Sequence, residues 1–220
     1  MTSVGYRVRR ESGIKGTTVE SQNKINSLVE SARLNSTREQ AFYCDDDVFA
    51  LDMQKVVARK WLLVDHVSRI PEPGQFFVYE VGPESIIVIR DHDRKINALF
   101  NVCRHRGSLI CVEKQGKRNR LTCPYHGWTY GLDGSLMAAR FMPDDFKPME
   151  HGLHPCHIRI HHGFIFLNLS PGEEPDFEQD FTVFEPHLDF HGFADAKIAH
   201  KQSYPTAANW KLVVENFFEC

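Results

Sequence analysis

The sequence predicts a mainly β chain: a small antiparallel sandwich or barrel with helices before it and one helix after it. Three observations carry this. Short apolar runs rich in Val, Ile, Phe and Tyr recur between about residues 61 and 169. Each is bounded by Gly, Pro or Asp turn signals, the pattern of antiparallel strands rather than of βαβ units. Helical spacing of apolar residues occurs only outside that stretch, before residue 60 and after residue 208.

In chain order, residues 1–40 are polar and rich in Ser, Thr and Asn, so the first part is expected to be mobile. Within them, Ser21 to Leu34 can form a short helix around Ile25, Leu28, Val29 and Ala32. Asp45, Asp46 and Asp47 open a second helix, because carboxylates suit the unpaired N–H groups of a helix start. Phe49, Met53, Val56 and Val57 continue it at helical spacing. Trp61 to Val64 reads as the first strand. Pro71 to Gly74 turns the chain into strands over residues 75–81 and 85–90. A strand from Ile96 to Val102 then runs into a Cys/His loop. Trp128 to Tyr130 and Ser135 to Met137 form a hairpin, and so do Ile158 to Ile160 and Phe164 to Leu169 about His162-Gly163. Residues 171–205 read as an acidic linker and connecting segment. Trp210, Val213, Val214, Phe217 and Phe218 then lie on one face of a helix capped by Asn209. The resulting division is 1–40, 41–170 (the β domain with its preceding helix), 171–205 and 206–220.

Bulk properties exclude several functions. The 220 residues hold 26 Lys plus Arg against 29 Asp plus Glu, so no basic excess points to nucleic acid. No apolar run follows the N-terminal arginines as an export signal would, and none reaches a membrane span. The six cysteines show no disulfide pattern, which suits the cytoplasm. Cys44, Cys111 and Cys156 are expected to be small, partly buried core residues.

Chemistry concentrates in two motifs. Cys103-Arg104-His105 is C-x-H, and Cys123-Pro124-Tyr125-His126 is C-x-x-H. Two thiolates with two imidazoles are the ligands of a Rieske [2Fe–2S] centre. Cys103 and Cys123 would hold one iron, His105 and His126 the other. Neutral imidazoles leave the cluster less negative than four cysteines would, so it accepts an electron more readily. Gly107 and Gly127 allow tight loops after each pair. Arg104 and Arg106 can offset cluster charge or bind a partner's carboxylate, or can be solvated surface cations. Zinc accepts the same donors and remains an alternative, although zinc fingers pair Cys with Cys and His with His. The remaining histidines are expected to play structural or surface roles. His151, His154, His157, His161 and His162 crowd together, but Gly152 and Pro155 break any aligning helix. Strand alternation sends His161 and His162 to opposite faces. His187 and His191 have i, i+4 spacing but no third ligand near in sequence.

The blocks NVCRHRG (101–107) and CPYHGWTY (123–130) resemble the α subunit of Rieske non-haem iron oxygenases. So do WLLV (61–64), Pro73-Gly74 and NWKLVVEN (209–216). The resemblance implies that the Rieske-type domain is followed by the start of a truncated α+β catalytic domain. It implies a relay of NAD(P)H-derived electrons, from a reductase or ferredoxin donor, to a mononuclear Fe(II) that activates O₂. The family holds that iron by two His and one carboxylate. The pattern after NWK-x-x-x-EN is a carboxylate, a Tyr-His and a second His. Glu219 takes the carboxylate place and the chain ends at Cys220, so Fe(II) is expected only in a full-length protein. The chain would then be the N-terminal half of an oxygenase subunit, or a truncated product, inactive alone. By the same resemblance Glu219 is the acid bridging a cluster histidine of one subunit to an iron ligand of its neighbour. Asn216 is a further candidate catalytic residue. The family often forms trimers. The Glu219-Cys220 pair is similar to members that oxidise quaternary ammonium compounds, and aromatic hydroxylation is the other substrate class implied. A stand-alone Rieske ferredoxin and a zinc-stabilised interaction module are the competing functions. Neither nucleic acid nor membrane is an expected partner.

Overall fold

A computed structural model describes residues 19–33 and 36–219. The expected mobility at the N-terminus falls on residues 1–18, outside that range, as do Leu34 and Cys220. The chain forms two compact units. One runs from Lys60 to Ile198; the other joins the described residues up to Arg59 with those from Ala199 onward.

The first unit is built from ten strands in three antiparallel sheets, as the turn-bounded runs predict. β1 (Leu62–His66), β2 (Gln75–Val81), β3 (Glu84–Arg90), β4 (Ile96–Phe100) and β5 (Gln115–Lys117) come first. β6 (Leu121–Thr122), β7 (Thr129–Tyr130), β8 (Leu136–Ala138), β9 (His157–His161) and β10 (Phe164–Asn168) follow. The sheet orders are β4-β3-β2-β5, β1-β10-β9 and β6-β7-β8.

β3 explains the architecture. Ser85 to Ile89 are all buried, so this strand is covered on both faces. Its side chains alternate between two cores. Ile87 and Ile89 join Phe76, Leu99, Leu121, Trp128 and Tyr130 beneath the ligand loops. Ile86 and Val88 join Phe77, Ala98, Ile165 and Leu167 against the β1-β10-β9 sheet. Burying each such side chain contributes about 1.5–3 kcal/mol, so the central sheet holds two layers together.

The outer face of β10 is covered differently. Phe166 packs with Trp61 and Phe177, and Phe181 lies against them. Phe177 and Phe181 belong to the stretch read as a linker, which also contains the short helices α4 (Glu178–Phe181) and α5 (Glu185–His191). The acidic residues and Pro171 of that stretch masked these two aromatic anchors. Between β9 and β10 the two-residue loop His162-Gly163 has positive φ at both positions, +46° and +80°. That is the pattern of a tight hairpin turn whose twist matches its strands.

In the second unit lie the helices α1 (Val19–Glu30), α2 (Ala41–Cys44) and α3 (Asp46–Asp52). Asp45 caps the last of these by accepting the N–H groups of Asp47 and Val48 at 3.0 and 3.3 Å. A π turn over Met53–Val57 carries the helix on. Asn209 caps the helix Trp210–Phe218 by accepting the N–H of Lys211 at 3.0 Å. Lys211 is buried and pairs with Asp52, which removes the cost of an unpaired interior charge. Cys44 departs from its expected core role: it is exposed, because it ends a single-turn helix rather than lying in a packed stripe. Cys111 and Cys156 are buried as expected. No helix among the described residues is long and apolar enough to cross a membrane.

Candidate metal centre

The two ligand loops are built alike. The N–H of Cys103 donates to Ser108 O at 2.8 Å, and the N–H of Gly107 donates to Cys103 O at 2.9 Å. In the second loop the N–H of Cys123 donates to Trp128 O at 2.8 Å, and the N–H of Gly127 donates to Cys123 O at 3.0 Å. Each loop is therefore a cysteine, a reversal closed by a glycine four residues on, and a return bond one residue later. Gly107 and Gly127 have φ of +69° and +71°, a conformation that a Cβ penalises. His105 and His126 sit two and three residues past their cysteines.

This geometry sorts the donors by depth. Both cysteines are 2% exposed and belong to the core, while His126 is exposed and His105 half-buried. The two rings meet edge to face with centroids 4.7 Å apart. Trp128, itself buried, stacks under His105 at 5.0 Å, and Tyr125 lies against His126 at 3.8 Å. Two soft sulfurs lie inside and two imidazoles at the rim.

Hydrogen-bond donors converge on the sulfurs, as anionic sulfur requires. Backbone N–H groups of Tyr125 and His126 and the Ser108 hydroxyl point at Cys123; the His105 N–H points at Cys103. Tyr130 Oη lies 3.3 Å from Cys103 Sγ and accepts the N–H of Arg104 at 3.1 Å, which turns its own proton toward the sulfur. The two thiols share a hydrogen bond. It pulls Cys123 down to about 6 and pushes Cys103 up. Burial, with His126 and Arg106 nearby, holds His105 below its ordinary value, so its ring is a neutral donor. Buried sulfur, directed N–H groups and rim imidazoles all fit a [2Fe–2S] group with mixed ligands.

Around the loops, Asn101 is a strap that the motif reading passed over. Its Oδ1 accepts the N–H groups of Ile110 and Cys111 at 3.0 and 2.9 Å. Its Nδ2 donates to Cys111 O at 2.8 Å and Ser85 Oγ at 3.1 Å. The only sign of this in sequence was its place beside the motif. Arg104 contacts the His154 ring, and Arg106 is exposed. Asn216 and Glu219 lie in the other compact unit; Glu219 caps its helix through an N–H bond to Glu215 O at 3.2 Å.

One expectation fails clearly. His161 and His162 do not face opposite ways. The turn conformation of His162 breaks strand alternation, and both rings reach Glu185 of α5. His187 and His191 of α5 are exposed and join no such group.

Comparison with known proteins agrees with this geometry. Residues 60–148 match the family model of the Rieske [2Fe-2S] domain. The glycine betaine monooxygenase oxygenase subunit of Pseudomonas aeruginosa is 41% identical over 183 residues, covering 82% of this chain and 42% of its own length. A solved quaternary ammonium Rieske monooxygenase, described for carnitine oxidation and inter-subunit electron transfer, superposes with a TM-score of 0.76 at 33% identity. That match covers 82% of this chain and 50% of the other. Naphthalene 1,2-dioxygenase from Rhodococcus sp. gives 0.79 at 28% identity, over 91% and 48%. The chain thus spans about half the length, or less, of these relatives. Residues 60–148 form a Rieske [2Fe–2S] domain, and the chain resembles the N-terminal, Rieske half of the α subunits of Rieske non-haem iron oxygenases.

Proposed function

We propose that Cys103, His105, Cys123 and His126 hold the cluster, and that this chain is the electron-relaying part of an oxygenase acting on a small quaternary ammonium compound. The single observation that carries the ligand assignment is the pairing of twin loops, with two buried, N–H-bonded sulfurs inside and two imidazoles at the rim. When bound, a Rieske cluster supplies one-electron transfer at roughly −150 to +300 mV.

The protein's residues do the rest. The cysteines anchor the charge in the core, and the Tyr130 hydroxyl and loop N–H groups stabilise it there. The histidines would hold a bound cluster at the exposed edge of the site, the side open to a reductase or ferredoxin donor and to a catalytic iron. Their ring protons can compensate the added charge. Glu219, with Asn216 beside it, is the proposed link to a neighbouring subunit, which makes a homotrimer the expected assembly. The substrate class rests on the relatives that act on glycine betaine and carnitine; the naphthalene dioxygenase likeness makes an aromatic substrate the second reading. Five thiols without disulfides among the described residues suit the cytoplasm.

Iron and acid-labile sulfide analysis of the purified protein tests the first part. The expected result is two irons and two sulfides per chain in the Rieske domain, with an electron paramagnetic signal on reduction. Zinc without sulfide would overturn it in favour of a stabilising zinc module. Oxygen uptake by the native full-length subunit with its reductase, given glycine betaine or an aromatic hydrocarbon, decides the substrate class. Reduction without uptake on any substrate would favour a stand-alone carrier.

A further inference from the structure

We infer that His161, His162 and Glu185 form a second metal site, separate from the ligand loops, that takes a divalent first-row ion of the zinc type.

The argument begins with the hairpin. In a regular strand, consecutive side chains diverge. Here His161 ends β9 and His162 opens the two-residue turn with φ +46°, a left-handed conformation in which histidine is several-fold enriched among non-glycine residues. The turn swings His162 to the side that His161 already occupies, and the two rings meet with centroids 4.6 Å apart. Glu185, at the start of α5, places one carboxylate oxygen toward each ring. Its Oε1 lies 2.7 Å from His161 Nε2 and its Oε2 lies 2.9 Å from His162 Nε2. One donor atom from each of the three residues falls within 4.8 Å of the others. Asp189, one helical turn on, brings Oδ1 to 3.6 Å from His162 Nε2, within reach of a fourth position.

A second observation separates a metal site from a plain ion-pair clamp. His161 Nε2 is buried and has no directed hydrogen bond, although a carboxylate oxygen is only 2.7 Å away. That oxygen lies off the axis of the nitrogen. A pair meant for each other would align along the N–H bond. His162 Nε2 is hydrogen-bonded to Oε2 at 2.9 Å, whereas the axis of His161 Nε2 is left free for an ion shared with the same carboxylate. Nitrogen and oxygen donors at Zn–N of about 2.0–2.1 Å and Zn–O of about 2.0–2.2 Å suit this set. Phe177 and Phe181 wall the His161 ring at 5.3 and 6.1 Å, so water competes poorly on that side.

The consequence is structural. An ion here ties the β9–β10 turn to α5 across 23 residues, closing the stretch whose Phe177 covers the sheet. Closing a loop of that length restricts the unfolded chain and stabilises the fold.

The test uses the purified protein with its visible chromophore intact, stripped of loose metal by a chelator. Zinc sulfate is titrated calorimetrically, and cobalt(II) serves as a spectroscopic probe. The expected result is one zinc per chain, with tetrahedral cobalt bands and a rise in melting temperature on zinc addition. Glu185→Gln and His162→Gln should each weaken zinc by at least about tenfold, since even losing a partner outside the ligand set costs metal sites 10–100-fold. His187→Gln, on the exposed side of the same helix, should bind as the wild type does, which controls for damage to α5. If the ligand loops themselves take zinc, the wild type binds two ions and Glu185→Gln one, which also supports the site. No zinc binding by the wild type, or binding unchanged in both variants, would overturn it and leave a His–carboxylate clamp.

Discussion

The two ligand loops and the β9–β10 hairpin both bring histidines to a point, but by different routes. In the loops, each Cys-His pair is delivered by five or six consecutive residues. The reversal needs only a glycine at φ near +70° and two backbone bonds. In the hairpin, neighbouring histidines would diverge but for the left-handed turn, and their carboxylate partner arrives from a helix 23 residues away. Short-range geometry sets each Cys-His pair of the first group, and tertiary packing brings the two pairs together; in the second group packing has to supply the carboxylate as well.

The largest expected effect breaks the first half of that comparison. Cys123→Ser removes a buried sulfur on which several donors converge. Iron and labile sulfide should fall to background, with the secondary structure by circular dichroism retained. Retained iron and sulfide would mean that the loops are not the cluster ligands.

The glycines sharpen the contrast in stability. A Cβ on Gly163 would lie 2.1 Å from His66 Nε2, in addition to the strain of φ +80°. A Cβ on Gly127 would meet nothing within 4 Å and suffers only the strain of φ +71°. Gly163→Ala should therefore destabilise by about 3 kcal/mol or more, combining the left-handed penalty with overpacking. Gly127→Ala should cost about 1–2 kcal/mol. Denaturant titration of both reads the difference, and equal losses would refute the packing argument.

His126→Cys tests the electrostatics of the rim. A thiolate replaces a neutral donor, so the midpoint potential should fall in protein-film voltammetry, with the cluster still present. An unchanged or higher potential would contradict the charge argument.

The smallest effect appears only in alkali. Burial pushes Cys111 and Cys156 up to about 12, above the ordinary thiol value of 9.0. In that window the unfolded chain loses these protons while the folded chain keeps them, so the stabilisation is complete below about pH 9 and is lost as pH rises toward 12. Native protein at pH 8 should accordingly leave both thiols unalkylated by iodoacetamide. Rapid labelling at that pH would show that neither is shielded.

Much of this molecule was legible in its residues. The turn signal at His162-Gly163 marked a hairpin, Pro71–Gly74 marked the step from one sheet to the next, and Asp45 and Asn209 marked helix starts through the side chains that cap them. The apolar run of β3 showed a strand but neither its burial nor which side chain enters which core, because both faces are covered by distant segments. Phe177 and Phe181 hid within an acidic, proline-containing stretch, where composition argued for a solvated connection. Asn101 and Tyr130 stood beside the motifs without showing their bonds, which come from Ser85, Cys111 and Cys103 at 10 to 27 residues' distance.

By itself the sequence determined the two Cys/His loops, the antiparallel class and the helix starts, since each follows from spacing, caps and turns within a few residues. Only the tertiary structure decided the depth of the sulfurs, the rim position of the imidazoles and the meeting of His161 and His162 with Glu185. Those depend on which strand covers which face and on one backbone angle at a turn. The physical reason is that burial and convergence are properties of segments distant in the chain.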